Sequence, residues 1–438
     1  MNKETVVPRR PSGFAELLPE DQILFNVLRD IIRATYEKYG FVPIETPAIE
    51  LVEVLLAKGG GDTEKQIYRF TKGKNDLALH YDLTVPLARY VAEHYAQLIF
   101  PLRRYQMQKV WRAERAQKGR YREFLQCDID VIGDTDATVE AEMVAIIDEV
   151  FTQMDIGDFI VRVSNRKILT GILQSFGIKS HDIVLFIRII DKMDKCTRSD
   201  IAAQLHEQGL TSEQSEKLLE MVSMQGNHND IIAALEQLGV ENDDFIKGVE
   251  ELRDFVKAVA DYGVRDGRYR IDLSIARGLD YYTGTIYETN LIAYPELGSI
   301  ASGGRYDNLV GYYIDRELSG VGISIGLTRL FSKMKEKGLL NKNISKAKVL
   351  IAQLDRRYRR NCLHIAQILR RNGIAVEVYP TVAKLRKQLT YAHKAHIRHA
   401  IFIGEDEVAG NVISVKDMKT GEQVRMSVDE FTQKYWDE

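Results

Sequence analysis

The chain has 438 residues, 45% apolar and 28% charged, which at roughly 150 residues per domain suggests three domains and excludes intrinsic disorder and collagen-like structure. The net charge is only −3, but from Ser345 onward 17 basic residues face 11 acidic ones, +6, against −9 for the first 344. The low net charge argues against an indiscriminate nucleic-acid binder, while a basic module on an acidic body fits a polyanion touching one end, or plain solvated surface charge.

At the N-terminus, MNKETVVPRRPSG has no apolar signal core, and no apolar run approaches a membrane span, so neither export nor insertion is expected. The three scattered cysteines, Cys127, Cys196 and Cys362, suit a reducing cytoplasm and give neither a disulfide framework nor a zinc cluster. In LPEDQILFNVLRDIIRATYEKYGF, Ile23, Leu24, Val27, Leu28, Ile31 and Ile32 recur at three and four residues, predicting a helix from Pro19 that Gly40 ends. Phe41 to Glu50 carries Pro43 and Pro47, which a central strand rejects, so it reads as an extended edge or interface segment. Between Ile67 and Asp158, strand patterns mix with helices over Thr84 to Tyr95 and Asp136 to Met154.

Arg104 to Gly133, RYQMQKVWRAERAQKGRYREFLQCDIDVIG, reads as two long antiparallel strands joined by a basic loop. Alternation puts Arg112 with Glu114 on one strand, and Arg122, Phe124, Gln126 and Asp130 together on the other. Leu125, Cys127, Ile129 and Val131 form the opposite, core face. Ordinary exposed sheet can be this polar. Phe124 favours a binding face, since a ring there can stack on a base.

After Asn165, helical periodicity runs to about Gly267, for example over Ser212 to Gln225 and Asn229 to Leu238, and predicts an inserted helical module that splits the body. Strand patterns return at Tyr269 to Glu288. There ARGLDYYTGTIYE sets Tyr281 and Tyr282 beside an arginine and an acid, a polar pocket or a structural aromatic cluster. SGGRYDNLVGYY, from Ser302, leads to Gly320–Gly326, where Gly320, Gly322, Ser324 and Gly326 share one face whose small size lets a flat ligand reach the backbone, or allows tight packing. Arg329 falls in the first turn of the helix from Leu327 to about Lys337, where a cation and free N–H groups can meet phosphates. Beyond the linker GLLNKNISKAK, strands VLIAQL, AVEVY, AIFIG and NVISVKD alternate with helices, predicting a small α/β domain with a largely parallel sheet.

In order and spacing, WRAER with FLQCDIDVIG, RGLDYYTG, SGGRYDNLVG and GISIGLTRL resemble the motifs of histidyl-tRNA synthetases, a class II aminoacyl-tRNA synthetase family. ALHYDLTVPLARY, from Ala78, is similar to that family's amino-acid loop. The resemblance implies an α+β fold: an antiparallel class II sheet with flanking helices in two parts (1–165 and 268–338), a helical insertion (166–267) and a C-terminal α/β anticodon-binding domain (345–438). It also implies a cytoplasmic homodimer with no membrane association, its interface including the first helix and the proline-bearing segment through Glu50.

The implied reaction joins L-histidine to histidine tRNA through histidyl-adenylate, using ATP with Mg²⁺ and no zinc. By matched motifs, Arg112 contacts the α-phosphate and the histidine carboxylate, Arg277 acts on the α-phosphate from the other side, and Arg329 holds the γ-phosphate. Glu114 and Arg120 assist ATP, and Phe124 lies against adenine. Asp82, Leu83 and Thr84 belong to the loop that meets the α-amino group, with Gln126 and Asp130 nearby. Tyr281 and Tyr282 read the imidazole, and Arg115 and Gln117 contact the extra 5′ guanosine of the tRNA. Thr328 and Asn308 stand where the family often has Glu and Gly. The competing reading is a histidine-sensing regulatory subunit of ATP phosphoribosyltransferase, a relative that typically lacks the C-terminal domain and has degraded ATP motifs.

Overall fold

Ten residues of alternating pattern on either side of the basic loop form the longest hairpin of the molecule, and the rest of the main sheet is assembled around it. The computed structural model describes residues 6–57, 64–114, 120–133, 135–193, 195–275, 281–340 and 345–436. The chain divides into two compact units, Met1–Glu16 with Leu28–Leu339, and Leu17–Val27 with Leu340–Glu438.

The helix Pro19–Lys38 forms as its periodicity requires, and Gly40 follows it at φ +79°, a conformation that favours glycine. Of its six periodic apolar residues, Leu24, Leu28 and Ile32 are buried, whereas Val27 is exposed. β1 (Val42–Pro43) then pairs in parallel with β5 (Leu102–Trp111) as the outermost strand of an eight-stranded sheet, the edge position that Pro43 allows. Between them in sequence, β2 (Ile49–Leu51), β3 (Tyr68–Lys72) and β4 (Asn75–Leu79) make a separate three-stranded sheet in the order β2-β4-β3. The helix Thr84–His94 follows it and buries Val85, Leu87, Ala88 and Val91.

β5 pairs antiparallel with β6 (Glu123–Ile132) from Leu102 opposite Ile132 to Trp111 opposite Glu123. The sheet continues through β7 (Phe159–Asn165), β8 (Tyr269–Ile271), β9 (Thr285–Leu291), β10 (Ala301–Tyr306) and β11 (Gly320–Gly326), in the order β1-β5-β6-β11-β10-β9-β7-β8. Only the two edge pairs, β1 with β5 and β7 with β8, are parallel. A parallel neighbour needs a crossover connection. Between β7 and β8 that connection is helical, with helices at Arg166–Ser175, Ile183–Ile190, Arg198–Glu207, Ser212–Val222, His228–Gln237 and Asp243–Asp261. Five of the six have side-chain caps at their starts: Thr197 and Thr211 in capping boxes, Asn165, Asn227 and Asn242 as single caps. Behind the sheet, Ala137–Gln153 packs Met143, Val144, Ile147, Val150 and Phe151 into the core.

In the second unit, β12 (Val349–Ile351), β13 (Val376–Val378), β14 (His399–Phe402), β15 (Ile413–Asp417) and β16 (Gln423–Met426) form a sheet in the order β13-β12-β14-β15-β16. Here the expectation of a largely parallel sheet needs correction. β12 is parallel to β13 and β14, but β14, β15 and β16 run antiparallel. The reason is connection length: the helices Arg359–Arg371 and Leu385–Lys394 supply crossovers early on, whereas only the short helix Glu405–Gly410 precedes β15 and a tight turn at Gly421 precedes β16.

Candidate active site

Register explains how the polar face is built. One row across the main sheet reads Gln106, Asp128, Ser324, Ser302, Glu288, Arg162, and the next reads Arg104, Asp130, Gly322, Gly304, Ile286, Ser164. Residues in register share a face, so polar side chains from six strands line one surface while Cys127, Ile129 and Val131 pack behind it. Burying such groups is costly unless each finds a partner.

Most do. Arg104, fully buried, pairs with Asp130 at 2.5 Å, and the Tyr306 hydroxyl donates to the other Asp130 oxygen at 2.6 Å. Gln126 Nε2 donates to Ser324 Oγ at 2.6 Å and to Asp128 Oδ1 at 3.4 Å. Asp82, on the loop before the helix Thr84–His94, accepts from the Val85 N–H at 3.1 Å through Oδ1. Two buried acceptors, Asp82 Oδ2 and Gln126 Oε1, have no hydrogen-bond partner among the described residues. Burial raises the Asp82 and Asp130 carboxyls to about 6 and Asp128 to about 7, with the Arg104 charge working in the opposite direction on all three.

The loop bearing Asp82 is pinned by His80, whose ring nitrogens lie against the carbonyl oxygens of Pro47 (3.1 Å) and Lys109 (2.7 Å). Leu83 is fully buried, and its carbonyl oxygen lies 3.5 Å from Arg104 Nη2, so only its main chain faces the polar cluster. Thr84 and Tyr281 share a side-chain hydrogen bond. Tyr281 packs edge-on against Tyr282 (centroids 5.1 Å apart) and Tyr306 (5.8 Å). The tyrosines are thus both an aromatic cluster and one wall of the polar site.

Arg112 Nε donates to the Tyr81 carbonyl at 3.0 Å, and its guanidinium lies 5.2 Å from the centre of the half-buried Phe124 ring. Arg122 instead donates to the Glu114 carbonyl and packs against Gly13. Glu114 pairs with the exposed Arg120 at 3.6 Å. Arg329 donates to the Leu297 carbonyl. Its guanidinium pKa is lowered by burial and by the positive charge of Arg120, with Glu288 opposing. A buried arginine whose charge is further opposed by a neighbouring cation makes a ready site for an anion.

The small face of β11 divides its tasks. A side chain at Gly320 would strike the Tyr306 ring, one at Gly322 the Asp130 carboxylate, and Ser324 meets Gln126. Only at Gly326 is the space above the backbone open, so three of the four small residues serve packing. Thr328 accepts from the Leu125 N–H at 2.8 Å and so joins its helix to β6, and Asn308 is exposed. Arg277, Arg115 and Gln117 lie outside the described residues.

Sequence reasoning missed Arg104, Gln106, Asp128 and Tyr306. Alternation alone places Asp128 between Gln126 and Asp130 on the same face; Arg104 becomes visible only once β5 is registered against β6. Arg305, within SGGRYDNLVG, is a supporting residue: it pairs with Glu140 (3.0 Å) and Asp307 (2.9 Å), while Thr285 donates to Glu140 and Thr283 to Asp307. This ties the strand after Tyr281 and Tyr282 to the helix behind the sheet.

Known proteins resemble this chain in sequence and fold. A family model described as histidyl-tRNA synthetase matches residues 13–330, and one described as an anticodon binding domain matches 348–435. A histidine–tRNA ligase of Clostridium tetani is 47% identical over 98% of both chains, and one from Xylella fastidiosa is 45% identical over 97% of both. The crystal structure of a histidyl-tRNA synthetase from Nostoc sp. PCC 7120 superposes with a TM-score of 0.91 at 42% identity, covering 98% of this chain and all of that one. With a family model matching residues 13–330 and a relative 47% identical over 98% of both chains, the chain belongs to the histidyl-tRNA synthetase family.

Proposed function

We propose that the chain activates histidine with ATP and transfers the histidyl group to the terminal ribose of histidine tRNA. The observation that carries the reading is the pair of buried, unpartnered acceptors, Asp82 Oδ2 and Gln126 Oε1, in a cluster that also feels the charge of Arg112. An α-ammonium brings N–H donors and a positive charge to a site that has acceptors and excess negative charge. Asp130, with both oxygens engaged by Arg104 and Tyr306, contributes its field from behind. Tyr281 and Tyr282 then face the imidazole, and an isostere without ring nitrogens would leave polar groups unpaired.

In the first step the histidine carboxylate attacks the α-phosphorus of ATP in line and pyrophosphate leaves; in the second a ribose hydroxyl attacks the acyl carbon and AMP leaves. The attacking carboxylate is already ionised, so the first step needs no general base, and positioning with charge neutralisation carries the rate. Arg112 serves the carboxylate and α-phosphate, Arg277 the α-phosphate from the far side, and Arg329 the γ-phosphate, with Glu114 and Arg120 assisting ATP. Adenine lies against Phe124, above the open backbone at Gly326. Magnesium would come with the nucleotide and neutralise phosphate charge, and Glu114, paired with Arg120, and Glu288, whose charge acts on Arg329, are the carboxylates that would help hold it.

For the rest of the molecule we infer the division into 1–165 and 268–338 as catalytic domain, 166–267 as insertion and 345–438 as anticodon-binding domain, with Arg115 and Gln117 on the acceptor end. The exposed edge strand with Val42, and exposed Ile49 and Leu51, support pairing with a second copy of the chain. Among the described residues no helix is long and apolar enough to cross a membrane, and a tRNA substrate argues for the cytoplasm.

Pyrophosphate exchange into ATP, measured with each amino acid in turn and followed by charging of histidine tRNA, tests the reading. Exchange with histidine alone is expected. Histidine binding without exchange would favour the regulatory-subunit reading, which Arg112, Arg329 and the basic C-terminal module oppose.

A further inference from the structure

Gln126 can meet an ammonium only if its amide oxygen points into the site, and an amide that rotates by half a turn presents its NH₂ instead. Something must choose between the two. The described contacts supply the choice. Asp128 is directly opposite Ser324 in register, and the Ser324 hydroxyl favours its ionised form. A Ser324 proton turned towards that carboxylate leaves Oγ only as an acceptor for Gln126. It accepts from Gln126 Nε2 at 2.6 Å, and the same NH₂ lies 3.4 Å from Asp128 Oδ1. Both contacts demand the nitrogen, so Oε1 is turned to the other side, where it is the buried acceptor without a partner among the described residues.

We propose that Asp128 is a positioning residue, acting through Ser324 to fix the orientation of the Gln126 amide and so to set the affinity for the α-ammonium of the amino-acid substrate. This rests on the histidine-activating reading and names a residue that the reading itself does not use. Asp128 is 3% exposed and Gln126 7%, so solvent does not compete for either group. The alternative partner across the hairpin, Gln106, is already taken: its Nε2 donates to Thr46 Oγ1 at 3.0 Å and to Gln108 at 2.6 Å, and its oxygen faces Arg104. The charged groups that bear on Asp128 are Arg104, which favours its ionised form, and Asp130 and Asp82, which oppose it. Asp128 therefore titrates as part of the cluster, and protonation would give it a hydrogen to donate and release the constraint on Ser324.

The experiment is a double-mutant cycle on the full chain, read by histidine-dependent pyrophosphate exchange. Asp128→Asn keeps the shape but offers an NH₂, so the direction of the relay is lost. The Michaelis constant for histidine should rise about tenfold, the effect of one charge-assisted contact, with that for ATP within about twofold. In a Gln126→Ala background the same substitution should add less than about twofold, because its effect passes through the missing amide. Inhibition by imidazolepropionate, which has the ring and carboxylate but no ammonium, should change by less than about twofold in Asp128→Asn. Ser324→Ala, a smaller change, should reproduce the loss and serves if Asp128→Asn folds poorly. Additive effects of the two substitutions, equal weakening of imidazolepropionate, or unchanged histidine affinity in both Asp128→Asn and Ser324→Ala would overturn the proposal. Failure of the underlying reading is separate: it would appear as no histidine-dependent exchange in the unaltered protein.

Discussion

Asp82 stands at the junction of geometry and charge, with one oxygen spent on the Val85 N–H and the other buried without a partner among the described residues. Asp82→Asn should therefore raise the Michaelis constant for histidine tenfold or more, roughly the cost of an ammonium losing its counter-ion, and leave that for ATP nearly unchanged. Equal effects on both substrates in the exchange assay would make Asp82 a fold residue. The carboxyl cluster also predicts a pH dependence. Asp82 and Asp130 are raised to about 6 and Asp128 to about 7, above the unfolded value of about 4. A raised folded pKa means that the native state holds protons the unfolded chain has released. Its stabilising contribution is complete at acid pH, below the unfolded value, and is lost as pH rises through 6 and 7. Histidine binding needs the ionised form, so the rise in melting temperature caused by histidine should be larger at pH 8 than at pH 5.5. Imidazolepropionate controls for titration of the ligand's ring, and a histidine shift that is greater at pH 5.5 would contradict the assignment.

At the scale of elements, β11 shows how one strand supports packing at one end and binding at the other. Gly322→Ala would bring a Cβ to 2.2 Å from the Asp130 carboxylate and 2.5 Å from the Ile129 carbonyl, contacts that neither the buried ion pair nor the backbone can yield cheaply. It should cost about 1–3 kcal/mol in denaturant unfolding and weaken histidine binding by displacing Asp130. Gly326→Ala meets nothing within 4 Å, so its stability should hold while the Michaelis constant for ATP rises, if adenine lies on that backbone. The opposite pattern would exchange the two roles. Elements of this kind were legible in sequence because alternation is local: the hairpin, the strand Gly320–Gly326 and the helix beginning at Pro19 follow from period alone. Register is not local. Nothing within Arg104 to Trp111 says that Arg104 faces Asp130, and the Gly face reads as a ligand platform until Tyr306 and Asp130 are seen to fill it. The antiparallel half of the C-terminal sheet was hidden for a related reason: a six-residue helix between two strands resembles a crossover in pattern but is too short to make one.

Across the whole molecule, charge and chemistry are distributed unequally. All the described residues assigned to histidine and ATP lie at or before Arg329, while the segment from Ser345 onward carries +6 and a core of its own around Val349, Ile351, Ile401 and Val415. The separation predicts that adenylation and tRNA affinity respond to different halves of the chain. Deleting Ser345–Glu438 tests this, but Leu17–Val27 group with the C-terminal unit, so a truncated chain must first be shown to keep its fold and oligomeric state. A milder variant avoids the difficulty. Arg359, Arg360, Arg386 and Lys387 are exposed on two helices of that unit, and replacing all four with Gln removes positive charge without touching its core. Histidine-dependent pyrophosphate exchange should be unchanged within about twofold, because none of the four belongs to the adenylation machinery. The dissociation constant for tRNA should rise, and the slope of log affinity against log salt should become shallower by about 0.7–0.9 for each phosphate no longer neutralised. Unchanged affinity and slope would mean that these side chains are solvated surface, and that the positive balance of the module is carried to the tRNA elsewhere or not at all.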